Sequence, residues 1–296
     1  MMRRIVMELL KLESITKDYG NGKGLFNFSM NLNKGEIVGL IGINGAGKTT
    51  LLDTVSGKIL ADSGEIFYEG EKLGIDSKCR KKFGISVNPG FYDYLNTYEN
   101  LKAILYLNGI SDKKIVNEKI KNVLKIVGLE NVENKRIKEF SFGMKQRLGF
   151  AQAILNSGSI MLLDEPFVGL DVNGRNMVKE YVKDMVEKKQ MAVVFSDHNL
   201  DEVKALCNRL VVIRNGKKIY DGNLDIKSSI IIKVRDSSGI DDSIVKKIDS
   251  TTVEVTERNL NDKIKNITKI TEITRIEKVI NPLEKMLEVN NNVENH

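Results

Sequence analysis

Apolar and polar positions alternate in short blocks along most of the chain, with glycines marking the breaks. Leu9-Leu10-Lys11-Leu12-Glu13-Ser14-Ile15 predicts a strand, and Gly20-Asn21-Gly22-Lys23-Gly24 predicts a turn. Phe26-Asn27-Phe28-Ser29-Met30-Asn31-Leu32 repeats with period two and predicts a half-buried strand. Asn33-Lys34-Gly35-Glu36 then predicts a hairpin-like turn into Ile37-Val38-Gly39-Leu40-Ile41. That run is apolar throughout, as in strands covered on both faces. Behind it, Thr50 to Val55 predicts a helix stopping near Gly57, and Gly64 to Gly70 a short hairpin. Phe83 to Val87 predicts another buried strand, broken by Asn88-Pro89-Gly90.

The period then changes. Tyr98 to Leu107 is helical, and Ser111 or Asp112 caps a helix with apolar positions Ile115, Val116, Ile120, Val123, Leu124 and Val127, stopped by Gly128. A third helix follows Phe140-Ser141-Phe142-Gly143, with Met144, Leu148, Ala151 and Leu155 on one face. The stretch from about 90 to 155 is thus an all-helical insert in an α/β chain. Beyond it, an apolar run from Ile160 meets Asp164-Glu165-Pro166 and reads as a central parallel strand. Gly169-Leu170-Asp171 predicts a turn, Asn173 to Lys188 a helix, and Ala192 to Phe195 a strand ending at Ser196-Asp197-His198. Leu210 to Ile213 and Lys217 to Tyr220 flank Arg214-Asn215-Gly216 as a hairpin. Near Asp225 the pattern resets, with strands at Ile230 to Val234 and Thr252 to Val255, a weakly periodic Ile264 to Leu287, and a polar tail from Asn290. The expected division is a main domain at 7–225 and an accessory region at 226–296.

Composition narrows the class. The 296 residues suit about two domains, and 41% apolar with 29% charged residues describes a soluble globular chain. No apolar run reaches the roughly 18 residues of a membrane helix, and Glu8, Lys11 and Glu13 interrupt a signal-like start at Met1. The formal net charge is +6, but lysines are dispersed among glutamates. That pattern favours a solvated or lipid-facing surface over nucleic-acid binding. Cys79 and Cys207 form no metal spacing and suit a reducing cytosol.

The candidate chemistry centres on Gly42-Ile43-Asn44-Gly45-Ala46-Gly47-Lys48-Thr49-Thr50. A G-x-x-x-x-G-K-T loop between strand and helix turns successive backbone N–H groups onto an anion, at a helix N-terminus that favours negative charge. Lys48 is expected to reach the β- and γ-phosphates and the Thr49 hydroxyl to help hold Mg²⁺, so the chain binds a nucleoside triphosphate. Asp164, at a strand end, is expected to hold Mg²⁺ through water, and Glu165 to polarise the attacking water. His198, the only internal histidine, ends a strand at the same edge, within reach of a γ-phosphate. On local grounds Ser141 reads first as a helix cap and second as the start of an anion site. Tyr19 reads either as a boundary aromatic or as a platform for an adenine ring.

Taken together, and over roughly residues 8–225, these motifs resemble the nucleotide-binding subunit of the ATP-binding-cassette (ABC) family. The resemblance implies the P-loop NTPase cassette fold: a mixed sheet core, an antiparallel β subdomain and an inserted helical subdomain, here with a small α+β C-terminal extension. It implies that Tyr19 stacks on adenine and that Gly42, Asn44, Gly45, Ala46, Gly47, Lys48, Thr49 and Thr50 surround the phosphates. It implies that Ser141 and Gly143 form the signature closing on a partner's ATP, that Asp171 lies in the D-loop, and that Glu165 and His198 are catalytic. Phe142 and Met144 stand where the usual signature has glycine and glutamine. The run Ser141 to Gly149 is nevertheless similar to the bacitracin-resistance and lantibiotic-immunity branch, whose members export peptide antibiotics.

Asn88 stands where the family carries a metal-contacting glutamine, or glutamate in this branch, and the loop before Phe91-Tyr92 is one residue shorter. Asparagine keeps the amide but loses one methylene, about 1.5 Å of reach. The metal set implied is Thr49, Asp164 and Asn88. Asn281 to Leu287 is similar to a leucine-glutamate motif closing many exporters of this branch. The resemblance further implies ATP and Mg²⁺ as cofactors, a homodimer of nucleotide-binding domains, and separate transmembrane permease subunits. It places the chain in the cytoplasm, peripheral on the inner face of the cell membrane, with no nucleic acid expected. The alternative is a soluble ABC-class ATPase acting on the ribosome or nucleic acid.

Overall fold

Burial follows the periods read along the chain. Strand β1 (Glu8–Asp18) pairs antiparallel with β2 (Gly24–Asn33), and β2 buries Phe28, Met30 and Leu32 while exposing the residues between them. Strand β3 (Ile37–Ile41) is buried at all five positions, which demands a neighbour on each edge and cover on both faces. The Asn33 to Glu36 turn is therefore not a hairpin: β2 stays in one sheet and β3 enters another. A strand with a polar outer face cannot sit inside a sheet covered on both sides. The computed structural model describes residues 7–74, 77–207, 209–223, 229–256 and 259–278. The signal-like start at Met1 and the Asn281 to Leu287 motif lie outside them.

Helix α1 (Lys48–Ser56) ends at Gly57, which caps it in the left-handed conformation that glycine adopts without strain. Strands β4 (Ser63–Tyr68) and β5 (Glu71–Lys72) complete an antiparallel sheet of order β2-β1-β4-β5. After β6 (Phe83–Ser86) come three helices, α2 (Thr97–Leu107), α3 (Lys113–Ile126) and α4 (Phe142–Asn156). Their starts are capped by Asn96 with Glu99, by Asp112, and by Ser141. Leu101, Leu105, Val116, Ile120 and Leu148 are buried in this insert.

The chain then returns to the sheet through β7 (Ile160–Asp164), α5 (Val172–Lys189), β8 (Ala192–Asp197), α6 (Leu200–Leu206), β9 (Arg209–Arg214) and β10 (Lys217–Asn223). The six-stranded order is β10-β9-β3-β8-β7-β6, parallel except for β10. One hydrophobic core, including Phe28, Leu40, Leu51 and Leu162, joins the antiparallel sheet to α1 and the mixed sheet. The expected α/β class, with mixed core, antiparallel subdomain and helical insert, is the one observed. Parallel strands bring the ends of β3, β6, β7 and β8 to one edge, where open α/β sheets bind ligands.

The chain divides into two compact units, 1–224 and 225–296. In the second, β11 (Ser229–Val234), β12 (Lys246–Asp249), β13 (Thr252–Thr256), α7 (Leu260–Thr268) and β14 (Ile273–Lys278) form an antiparallel sheet of order β12-β13-β11-β14 with one helix. Ile232, Val253 and Ile267 are fully buried in a core that this unit makes for itself. Among the described residues, no helix is long and apolar enough to cross a membrane.

Candidate functional site

The loop between β3 and α1 has the backbone an anion site needs. Gly47 precedes α1 at φ +109, a conformation that only glycine takes readily, and no side chain caps the helix. No acidic residue lies in the first turn of α1 either, so its N–H groups and positive dipole end stay available. Lys48 is buried and folds back along the loop, donating to the Gly42 carbonyl at 2.6 Å and the Ile43 carbonyl at 3.3 Å. Burial pushes its ammonium below the usual lysine range, against the pull of Glu165, Asp164 and Asp197. Tyr19, Lys23 and Gly24 join Asn44 to Thr50 and Glu165 around a cavity of about 330 Å³. The Tyr19 ring is half exposed, with the Lys17 ammonium 5.8 Å from its centre.

The ends of β7 and β8 supply the acids. Thr49 Oγ1 donates to Asp164 Oδ2 at 2.7 Å, and the Ser196 hydroxyl holds the other carboxylate oxygen of Asp164. Ser196 also receives the Glu165 N–H, at 3.1 Å on its carbonyl and 3.0 Å on its hydroxyl. Glu165 has φ +47, a strained setting for a non-glycine residue. His198 Nδ1 lies 3.7 Å from Glu165 Oε1 and 3.8 Å from Asp197 Oδ1. Asp197 is buried; one of its oxygens takes the Asn199 N–H at 2.7 Å, and the other has no hydrogen-bond partner among the described residues. Burial pushes its carboxyl above the usual carboxylate range. Asn88 is exposed at φ +43 and shares a second cavity with Thr49, Asp164 and Glu165.

The remaining candidates gather elsewhere. Ser141 caps α4 by accepting the Met144 N–H at 3.3 Å, and Asp171 caps α5 by accepting the Gly174 N–H at 2.9 Å. That N–H, with the Arg147 guanidinium, holds the Asp171 carboxyl below the usual range. Ser141, Gly143 and Asp171 line neither cavity. Phe142 is 63% exposed, and its ring lies against Gly169. One loop edge thus carries a phosphate cradle, a hydroxyl–carboxylate pair and a carboxylate–histidine pair. That set suits in-line attack of water on a phosphoryl group.

Two residues of this arrangement lie within runs the sequence marks, Ser141 to Gly149 and Ser196 to His198, but their contacts with the acids have no signal there. Ser196 is adjacent to Asp164 only because β7 and β8 pair in that register. Gln146 sits on α4 yet donates to the Glu165 carbonyl at 3.0 Å.

Comparison with known proteins places the chain among similar sequences and structures. A family described as ABC transporter matches residues 25–168. The lantibiotic transport ATP-binding protein SrtF of Streptococcus pyogenes is 35% identical over 223 residues, 74% of this chain and 94% of the relative. The bacitracin transport ATP-binding protein BcrA of Bacillus licheniformis is 36% identical over 215 residues, 72% of this chain and 69% of the relative. Among solved structures, a dimeric ATP-binding cassette in a post-hydrolysis state with ADP and Pi superposes with a TM-score of 0.68 at 25% identity, covering 73% of this chain and 99% of that one.

Proposed function

This chain belongs to the ATP-binding subunits of ABC transporters, and from that premise we propose that it drives export of a peptide antibiotic through separate permease subunits. As a member of that family it binds and hydrolyses ATP. The observation that carries the reading is the division of the candidate site. The phosphate loop, Asp164, Glu165 and His198 share one edge; α4 reaches the second cavity only through Phe142, Lys145 and Gln146, while Ser141 and Gly143 line neither cavity. A second copy of the chain supplies what each half lacks, so two chains close over two ATP molecules.

Within that site Lys48 neutralises the β- and γ-phosphates, Glu165 accepts the proton of the attacking water, and His198 orients on the γ-phosphate. Tyr19 offers its exposed ring to the adenine. Thr49 and Asp164 would hold Mg²⁺: their hydroxyl and carboxylate oxygens lie 2.7 Å apart. Among the described residues no cluster of three histidine, cysteine or acidic side chains holds a metal unaided. When bound, Mg²⁺ would supply positive charge to offset that of the phosphates. Removing divalent cations with a chelator is expected to stop ATP turnover in a phosphate-release assay. Unchanged turnover would take Thr49 and Asp164 out of that role.

The names of the two relatives support a peptide antibiotic as cargo, as does the signature run Ser141 to Gly149. Membrane attachment then comes from the permease, at the inner face of the cell membrane. Cells lacking this chain are expected to become more susceptible to a lantibiotic or to bacitracin, with wild-type but not Glu165→Gln protein restoring resistance. Unchanged susceptibility to both peptides would overturn the cargo assignment.

A further inference from the structure

Three contacts fasten the segment from Glu165 to Asp171 to the first two turns of α4. Gln146 Nε2 donates to the Glu165 carbonyl at 3.0 Å. Arg147 donates from one nitrogen to Asp171 Oδ1 at 2.9 Å and from another to the Val127 carbonyl at 3.1 Å, where α3 has just ended. Between these points Gly143 packs so closely that a Cβ on it would come within 2.7 Å of the Gly169 carbonyl. The Glu165 peptide is thus gripped on both sides, its N–H by Ser196 and its C=O by Gln146. Its left-handed φ of +47 is of the kind that persists only where surroundings enforce it.

Ser141 and Gln146 belong to the same helix start, about 7.5 Å apart along its axis, so they move together. We propose that Gln146 is a positioning residue, tying the seating of Ser141 and Gly143 on a second copy's ATP to the setting of Glu165 in its own chain. The inference rests on the composite-site reading given above. When the partner's nucleotide draws in the N-terminus of α4, the Glu165 carbonyl follows through one hydrogen bond, and its carboxylate follows the carbonyl. Displacing a catalytic group by about 1 Å is enough to change a rate on the order of 100-fold. Each chain thereby senses the partner's ATP at its signature and answers at its own Glu165.

Mixed dimers of the full chain, isolated through two different affinity tags, separate this relay from simple support of α4. In the reference dimer one chain carries Glu165→Gln, so both sites bind ATP and one cleaves it. Gln146→Met keeps the side-chain length and removes the donor. Placed on the chain that retains Glu165, it is expected to slow single-turnover cleavage about tenfold, the loss of roughly one hydrogen bond, with ATP affinity within about twofold. Placed instead on the Glu165→Gln chain, it is expected to match the reference. Slowing in the second arrangement, or equal slowing in both, overturns the relay. Failure of the Glu165→Gln homodimer to form with ATP removes the composite-site reading and the relay with it. Normal dimer formation with slowing in the wrong arrangement removes the relay alone.

Discussion

A Glu165→Gln chain is expected to bind ATP as well as the native chain and to lose turnover by a factor on the order of 10²–10⁴, the range for removing a general base. At 1.36 kcal/mol per tenfold, that is about 3–5 kcal/mol of transition-state stabilisation. Glutamine has the same shape as glutamate, and the contacts that place this residue run through its backbone: the N–H to Ser196 and the carbonyl from Gln146. What the amide cannot do is take a proton from water. It also replaces one carboxylate oxygen by an amide nitrogen beside His198, whose Nδ1 stands 3.7 Å from the carboxylate. With closure intact and cleavage stopped, ATP should trap the chain as a dimer. Size-exclusion chromatography with and without ATP reads the dimer, and phosphate release reads the loss. A variant that still turns over at the native rate would remove Glu165 from catalysis.

Lys48→Ala is expected to fail at the earlier step. A buried ammonium facing phosphate oxygens makes charge-assisted contacts that water cannot replace, and truncating such a partner costs about 2–4 kcal/mol. Affinity for ATP should therefore fall about 30- to 1000-fold. In the free chain Lys48 already donates to the Gly42 and Ile43 carbonyls, so alanine also removes the cross-brace of the loop. The fold itself should survive, since β3 and α1 on either side of the loop are held by buried apolar residues such as Val38, Leu40, Leu51 and Leu52. Isothermal titration with ATP, alongside circular dichroism to verify folding, measures both. The two variants differ in kind: one binds without cleaving, the other does not bind. Equal ATP affinity in Lys48→Ala and native chains would move the phosphate contacts elsewhere.

Much of the fold was legible because it is written in short windows. The fully apolar β3, the helical insert and the capped start of α4 each follow from the residues within a single element. The helix α6 was not foreseen, since seven residues with two buried positions carry too few turns to show a period. In the C-terminal unit β12 is exposed at all four positions and offers no alternation to read. The turn at Asn33 to Glu36 misled for another reason: a local turn signal says that the chain bends, not whether the strands on either side pair.

By itself the sequence determined which residues stand as candidates for the nucleotide site: a glycine-spaced loop ending in Lys48 and Thr49, acids closing one apolar run at Asp164 and Glu165, and His198 closing another. These need only residue type and spacing, because backbone geometry over one loop or one strand is set by neighbours along the chain. Tertiary structure alone decided how Glu165 is held. Ser196 is 31 residues from it and Gln146 is 19, and the Arg147–Asp171 pair spans 24. Which strand lies beside β7, and which face of α4 turns to its end, is settled by packing the sheet and the helical insert together. No local pattern encodes that choice. Nor does any glycine mark the left-handed turn at Glu165, because there the conformation is imposed by hydrogen bonds from two other elements.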